Sequence, residues 1–333
     1  MAVFIDGFDY YNAITSIWDA GSSTSGFSAV GAGVFGYGRY VDTYHSTGAR
    51  KTLPSNWSTL YFAFHSYMNN GLGDDTPWIV LYDGASQQIT ITISSLGEIK
   101  AWRGNKTTLL GTSTELLRAN QWNWIAGKVT FNQSTGTIDI VVNGTTFLAL
   151  SSQDTCATAN EYVTIFKIGQ HDASDHIYMD NFHLYDGSDA APFNALLTER
   201  RIYFNFPTGD SASETDWTAS SGNKYACLDE NPGTTTDYIY SSTVGAKYGF
   251  TIADLPESGP DVVKLSGYVY KDDATARSIR LYNKQSATIY NGDTQVLSAS
   301  AVYLNTQWLT NPAGGSWDKT TVDASEWGIE LVA

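Results

Sequence analysis

The chain has 333 residues, 42% of them hydrophobic and 16% charged, with a formal net charge of −15. That length and apolar content support two folded domains and exclude extended disorder. The acidic balance excludes a nucleic-acid role and disfavours anionic membranes, and no apolar run reaches membrane-spanning length.

Met1-Ala2-Val3-Phe4-Ile5-Asp6 opens the chain with neither the basic segment nor the long apolar run of a secretory signal, so synthesis in a cytoplasm without export is the expectation. Strand signals follow. Residues 60–67 (LYFAFHSY) are aromatic-rich, and residues 78–82 (WIVLY) end at the turn dipeptide Asp83-Gly84. Residues 88–93 (QITITI) alternate with Ile89, Ile91 and Ile93 on one face, and residues 98–102 alternate too. Residues 114–119 (TELLRA) read as a short helical turn. Residues 122–131, 137–142 and 145–150 read as two hairpins in series, the second closed by Asn143-Gly144. Residues 163–168 and 177–185 close the first block.

Residues 188–201 contain a proline, good helix formers and a basic end, and read as a linker or short helix. The domain boundary is therefore placed there, with domains at 1–187 and 202–333. In the second block turn signals recur about every ten residues, as in a β-sandwich. The pattern predicts an all-β chain of two sandwich domains. Cys156 and Cys227 are too far apart in sequence to suggest a disulfide framework and are expected as buried thiols.

Three stretches carry a resemblance: residues 4–11 (FIDGFDYY), residues 121–144 with their W-x-h and G-x-h-x-h-h-h-N-G patterns (h, hydrophobic), and residues 177–186 (IYMDNFHLYD). They resemble the concanavalin A-like (laminin-G-like) jelly-roll family, especially versions in bacteriophage virion proteins. The resemblance implies that the last strand of this block pairs beside the first. Residues 200–333 resemble, more loosely, a second sandwich of phage virion proteins, on Asp216-Trp217-Thr218 and on residues 311–318 and 327–330.

A related glucanase would carry E-x-D-x-(x)-E along one strand, because period two places the carboxyls on one face. No Glu has that spacing, and neither G-x-S-x-G nor a phosphate loop ending in Gly-Lys-Ser/Thr occurs, so the expectation is a chain that does not catalyse. Gly31-Ala32-Gly33-Val34-Phe35-Gly36 spells GxGxxG but lacks a strand–helix context and reads as loop. Residues 171–176 (HDASDH) read as turn residues, with a metal or ligand loop as the alternative. The chain requires no cofactor under this reading. Asp6, Asp9 and Asp180 are candidate ligands of a structural Ca²⁺, since the resemblance brings the first and last strands together.

Loop-placed aromatics are the candidate sugar platform: Trp57, Tyr67, Trp78 and Tyr82, with Asp83 beside them. The resemblance implies a virion component, tail-associated or capsid-decorating, whose partners are other virion proteins, further copies of itself and cell-surface glycan. The alternatives are a dedicated host-receptor lectin and a polysaccharide depolymerase with an unrecognised site.

Overall fold

Period-two alternation turns one side of each strand toward a common interior, and the chain does this in two separate bodies. The computed structural model describes residues 3–20, 22, 26–27, 32–36, 38–43, 48–68, 73, 75–169 and 176–333. The GxGxxG stretch falls partly, and residues 171–175 of the HDASDH stretch wholly, outside the described residues. The first unit runs to Phe204 and the second spans Asn205–Ala333.

The first unit contains β1 (Val3–Asp6), β2 (Gly26–Phe27), β3 (Val41–Asp42), β4 (Ala49–Trp57), β5 (Thr59–Met68), β6 (Thr76–Asp83) and β7 (Ser86–Ile93). It continues with β8 (Glu98–Arg103), β9 (Thr108–Leu116), β10 (Trp122–Thr130), β11 (Gly136–Val142), β12 (Thr145–Gln153), β13 (Val163–Ile168) and β14 (Ile177–Tyr185). One sheet has the order β12-β11-β10-β5-β14-β3-β2, with β1 also paired to β14. The other has the order β4-β13-β6-β7-β8-β9. This is a jelly-roll sandwich. The first strand lies antiparallel to the last, Phe4 opposite Leu184.

Aromatic rings fill the space between the sheets. Phe64 meets Trp78 at 5.5 Å, Phe62 meets Phe166 at 5.9 Å, and Phe166 meets Phe182 at 5.3 Å. Gly127 lies under the Phe62 ring, where an added Cβ would overlap it. Asn143 and Gly144 both have positive φ (48° and 80°), and between Val142 and Thr145 they form the expected tight turn. Residues 114–119 form no helical turn: β9 runs through Leu116, stitched to β8 by the backbone ladder.

The last strand carries an irregularity that sets the outer surface. Asp180 faces His65 and His183 faces Ala63, so one extra residue enters β14 between them. Asn181 takes φ of 51° there. Inward parity therefore switches, from Ile177 and Met179 before the bulge to Phe182 and Leu184 after it, all buried.

Residues 188–201 form neither a linker nor a helix. They lie as a strap on the outer face of the larger sheet of their own unit. The Tyr185 hydroxyl donates to Ala195 O (2.6 Å), Trp124 Nε1 donates to Leu197 O (3.1 Å), and Ile202 N donates to Asn181 Oδ1 (2.6 Å). Phe193 and Leu197 are buried under it.

The second unit contains β15 (Pro207–Thr215), β16 (Thr218–Ala219), β17 (Ile239–Tyr240), β18 (Lys247–Ile252), β19 (Val263–Val269), β20 (Ser278–Gln285), β21 (Thr288–Asn291), β22 (Gln295–Val296), β23 (Val302–Trp308), α1 (Lys319–Asp323) and β24 (Glu326–Leu331). Strands β15-β18-β24-β20-β21, with β22 on β20, make the main sheet, and β19-β23 cover it. Trp217, Phe250, Leu281, Trp317 and Trp327 fill the interior, with Leu265 and Leu304 of the covering pair packed on them. Asp318 caps α1 by accepting from Thr321 N (2.7 Å), a short-range signal missed in the sequence because the helix is only 5 residues long. Cys156 and Cys227 are free and buried, as expected.

Two substitutions test the packing in opposite directions. Gly127→Ala should cost about 1–3 kcal/mol, because the methyl has no space against Phe62. Tyr282→Phe removes a buried hydroxyl that has no hydrogen-bond partner and should leave stability unchanged or raise it by about 1 kcal/mol. Urea denaturation of the two variants reads both.

Candidate functional site

Strand register places a row of aromatic side chains across the outer face of the larger sheet. Trp122 of β10 is opposite Tyr67 of β5, Tyr67 is opposite Tyr178 of β14, and Tyr178 is opposite Asp42 of β3. Their sequence neighbours Asn123, Ser66, Met179 and Val41 are buried, whereas all four of the row are half-buried. Ring centroids are 5.7 Å apart for Trp122–Tyr67 and 5.6 Å for Tyr67–Tyr178. Tyr40, just before β3, closes the group at 4.7 Å from Tyr178 and 5.7 Å from Trp122. Three strand spacings carry the row roughly 14 Å across the sheet.

One layer along the strands the same face is roofed by the strap. His65 and Trp124 lie there opposite each other, with His183 one layer further along, all buried. Burial pushes the His183 imidazole down to about 4 and lowers that of His65, so both rings are neutral at neutral pH. His65 Nε2 meets Glu199 Oε1 of the strap at 3.0 Å, and its ring lies 4.8 Å from Trp124 and 5.0 Å from Phe35. The strap is thus one wall beside the aromatic row. The far end of the row carries Asp42, whose Oδ2 is 2.7 Å from His176 Nδ1.

Of the platform residues expected from sequence, Tyr67 alone belongs to this group. Trp57 and Trp78 are buried and present no ring face to a ligand. The strands that carry them turn both rings inward. Tyr82 and Asp83 belong to the other sheet, where Asp83 Oδ2 accepts from Thr158 Oγ1 (3.0 Å) and Asn160 Nδ2 (2.9 Å). Sequence reading missed Trp122, Tyr178, Tyr40, Asp42, Glu199 and His65. The signal available was alternation in residues 65–67, 122–124 and 176–178, which places each aromatic opposite a buried neighbour. Nothing in the sequence aligned the three runs side by side.

The candidate calcium ligands are all buried, and each carboxylate accepts hydrogen bonds from the chain. Asp6 is taken up by donors: Phe8 N (2.9 Å) on Oδ1, and the Tyr11 hydroxyl (2.5 Å) and Trp18 Nε1 (2.8 Å) on Oδ2. Asp9 accepts from Arg39 N (2.7 Å), and Asp180 from Val34 N (3.0 Å) and Asn181 N (2.7 Å). Calcium needs six to eight converging oxygens. Among the described residues no three acidic, histidine or cysteine side chains are arranged to hold a metal. Burial, with Asp180 as the next cause, pushes the Asp9 carboxyl up to about 8, and burial pushes Asp180 up to about 7.

No family model matches the chain, and no curated protein matches it in sequence. Solved structures do match. An alginate lyase, Aly36B, in a mutant complex with alginate tetrasaccharide is 12% identical, with 56% of this chain and 97% of that chain covered and a TM-score of 0.37. The cellulose-induced protein Cip1 is also 12% identical, covering 56% and 87%, with a TM-score of 0.35. Domain 4 of AbnA, an extracellular arabinanase from Geobacillus stearothermophilus, in complex with arabinotriose is 13% identical, covering 59% and 84%, with a TM-score of 0.36. At these values the likeness assigns no activity to the chain.

The expectation of a chain that does not catalyse is nevertheless corrected, since alginate lyases stand among the matches. The missing E-x-D-x-(x)-E strand concerns one hydrolase motif and is silent about lyases. None of the three matches named above is described as a phage protein.

The buried carboxyl pair makes a pH prediction. Both folded pKa values lie above the unfolded value of 3.8, so the native state holds more protons between them. The pair's own contribution to stability is full below about pH 4, falls as pH rises through about 7 and 8, and levels off beyond, while the lowered pKa values of His183 and His65 oppose that fall below about pH 6.5. Asp9→Asn should flatten that slope in melting curves taken from pH 4 to 9. Added Ca²⁺ should leave the wild-type slope unchanged, whereas a bound ion would abolish it.

Proposed function

We propose that the first unit binds cell-surface glycan across the outer face of its larger sheet, and that the whole chain is a component of a phage particle. The observation that carries the glycan reading is the cross-strand row of Trp122, Tyr67 and Tyr178 closed by Tyr40. Saccharides bind on surfaces that offer apolar ring area beside hydrogen-bonding groups, and half-buried Tyr and Trp supply both in one side chain. The row is long enough for a short oligosaccharide lying across the strands, and the strap borders it. Fixed strands hold the rings, so little conformational freedom remains to be lost on binding.

The particle reading is supported by the sequence patterns of residues 4–11, 121–144 and 177–186, and by the looser likeness of the second unit. Under it the chain is present in several copies, with virion proteins as neighbours. High-resolution imaging of purified particles tests this part: repeated copies in the density support it, and their absence removes it.

For the glycan part, Trp122→Ala and Tyr178→Ala should each weaken binding to an array-selected oligosaccharide at least tenfold, about 1.4 kcal/mol, without loss of melting temperature. Tyr82→Ala, on the other sheet, should leave affinity unchanged. Equal affinity in all three variants would remove the site. Chain shortening of polymers in the same mixtures reads whether binding leads to cleavage.

A further inference from the structure

Two carboxylates border the aromatic row, and each is held by a histidine. Asp42 stands at the β3 end with His176 Nδ1 2.7 Å from its Oδ2. Glu199 stands on the strap with His65 Nε2 3.0 Å from its Oε1. The two pairs differ in a telling way. The His65 side chain is 2% exposed, whereas that of Glu199 is 56% exposed. Burial keeps His65 neutral, so its ring proton is on Nε2 and donates to Glu199. His65 Nδ1 is a buried atom without a hydrogen-bond partner. Among the described residues the ring therefore makes one hydrogen bond, and that bond holds an exposed carboxylate over His65, two residues along β5 from Tyr67.

The strap also carries Arg201 and Arg200, electrostatic neighbours of His65 and His183 respectively. The Arg201 guanidinium lies 3.9 Å from the centroid of the Phe35 ring, and Arg200 donates to Thr198 Oγ1 (2.7 Å). Around the Tyr40 hydroxyl the electrostatic neighbours are Tyr178, Asp42 and Tyr67, all of which add to the upward shift that burial begins. A carboxylate accepts hydrogen bonds from sugar hydroxyls and repels a sugar carboxylate, and a chain of net charge −15 adds to that repulsion.

We infer that this surface selects neutral, hydroxyl-rich glycan and rejects uronate polymers, with Glu199 and Asp42 accepting the sugar hydroxyls and His65 positioning Glu199. The inference rests on the glycan reading above and adds the chemical class of the ligand.

The test uses the full-length protein on an array of neutral and uronate-containing oligosaccharides of matched length, with calorimetry on the tightest hit. Wild type should bind neutral members at least tenfold tighter than uronates. Glu199→Gln should weaken the neutral hit about tenfold at unchanged melting temperature, and Asp42→Asn should do the same. Glu199→Lys should narrow or reverse the preference, a change that a purely structural role for Glu199 would not produce. If the tightest hits are uronates and are lost in Trp122→Ala, the ligand class is overturned while the glycan site stands. If no hit depends on Trp122, the site itself falls, and this inference with it.

Discussion

One extra residue in the last strand of the first unit organises its outer surface. The bulge at Asp180 and Asn181 switches the inward parity of β14, so Met179 and Phe182 both enter the core while Tyr178 and His183 both face out. Without it, one half of the strand would turn apolar side chains to the outside. The same two residues then anchor what surrounds them. Asp180 Oδ2 accepts from Val34 N, and Asn181 Oδ1 accepts from Ile202 N at the end of the strap. Strand parity, one flanking loop and the strap are thus tied to a single Asp-Asn pair.

The strap converts a flat sheet face into a surface with a wall. It covers successive layers of side chains, where Trp124 and Tyr185 each donate to its backbone and His65 meets Glu199. It leaves the next layer, Trp122–Tyr67–Tyr178, half-buried. Burying the first layer has an electrostatic cost, visible in the lowered pKa values of His65 and His183, which neutral imidazoles avoid by hydrogen bonding as donors or acceptors. The buried carboxyls Asp9 and Asp180 respond in the opposite direction for the same reason.

In the second unit the polar outer face works differently. Lys284 is held by Glu214 and Glu326, and Glu330 by Lys247 and Arg280, above Tyr282 lying over Gly328. Charges that pair with each other in this way serve packing, and they leave this face without the aromatic surface found on the first unit.

Much of this was legible in the chain. Alternation in residues 89–93, 122–129 and 137–142, with Asn143-Gly144 between two runs, determined antiparallel hairpins, because period two and a positive-φ turn admit little else. The pairing of first and last strands followed from a family-like pattern rather than from spacing. Residues 188–201 could not be placed, since helix formers beside a proline suit a linker as well as a strap, and only the docking of Phe193 and Leu197 decides between them.

The site was not legible for a related reason. Trp57, Tyr67, Trp78 and Tyr82 look alike one by one, and burial is a property of the faces they land on. The sequence by itself determined which residues alternate and where the chain turns. Only the tertiary structure decided which strands became neighbours, and hence that Trp122, Tyr67, Tyr178 and Asp42, each more than 10 residues from the next in sequence, share one row. Side-chain parity is local to a strand, whereas register between strands is set by the packing of the whole sandwich.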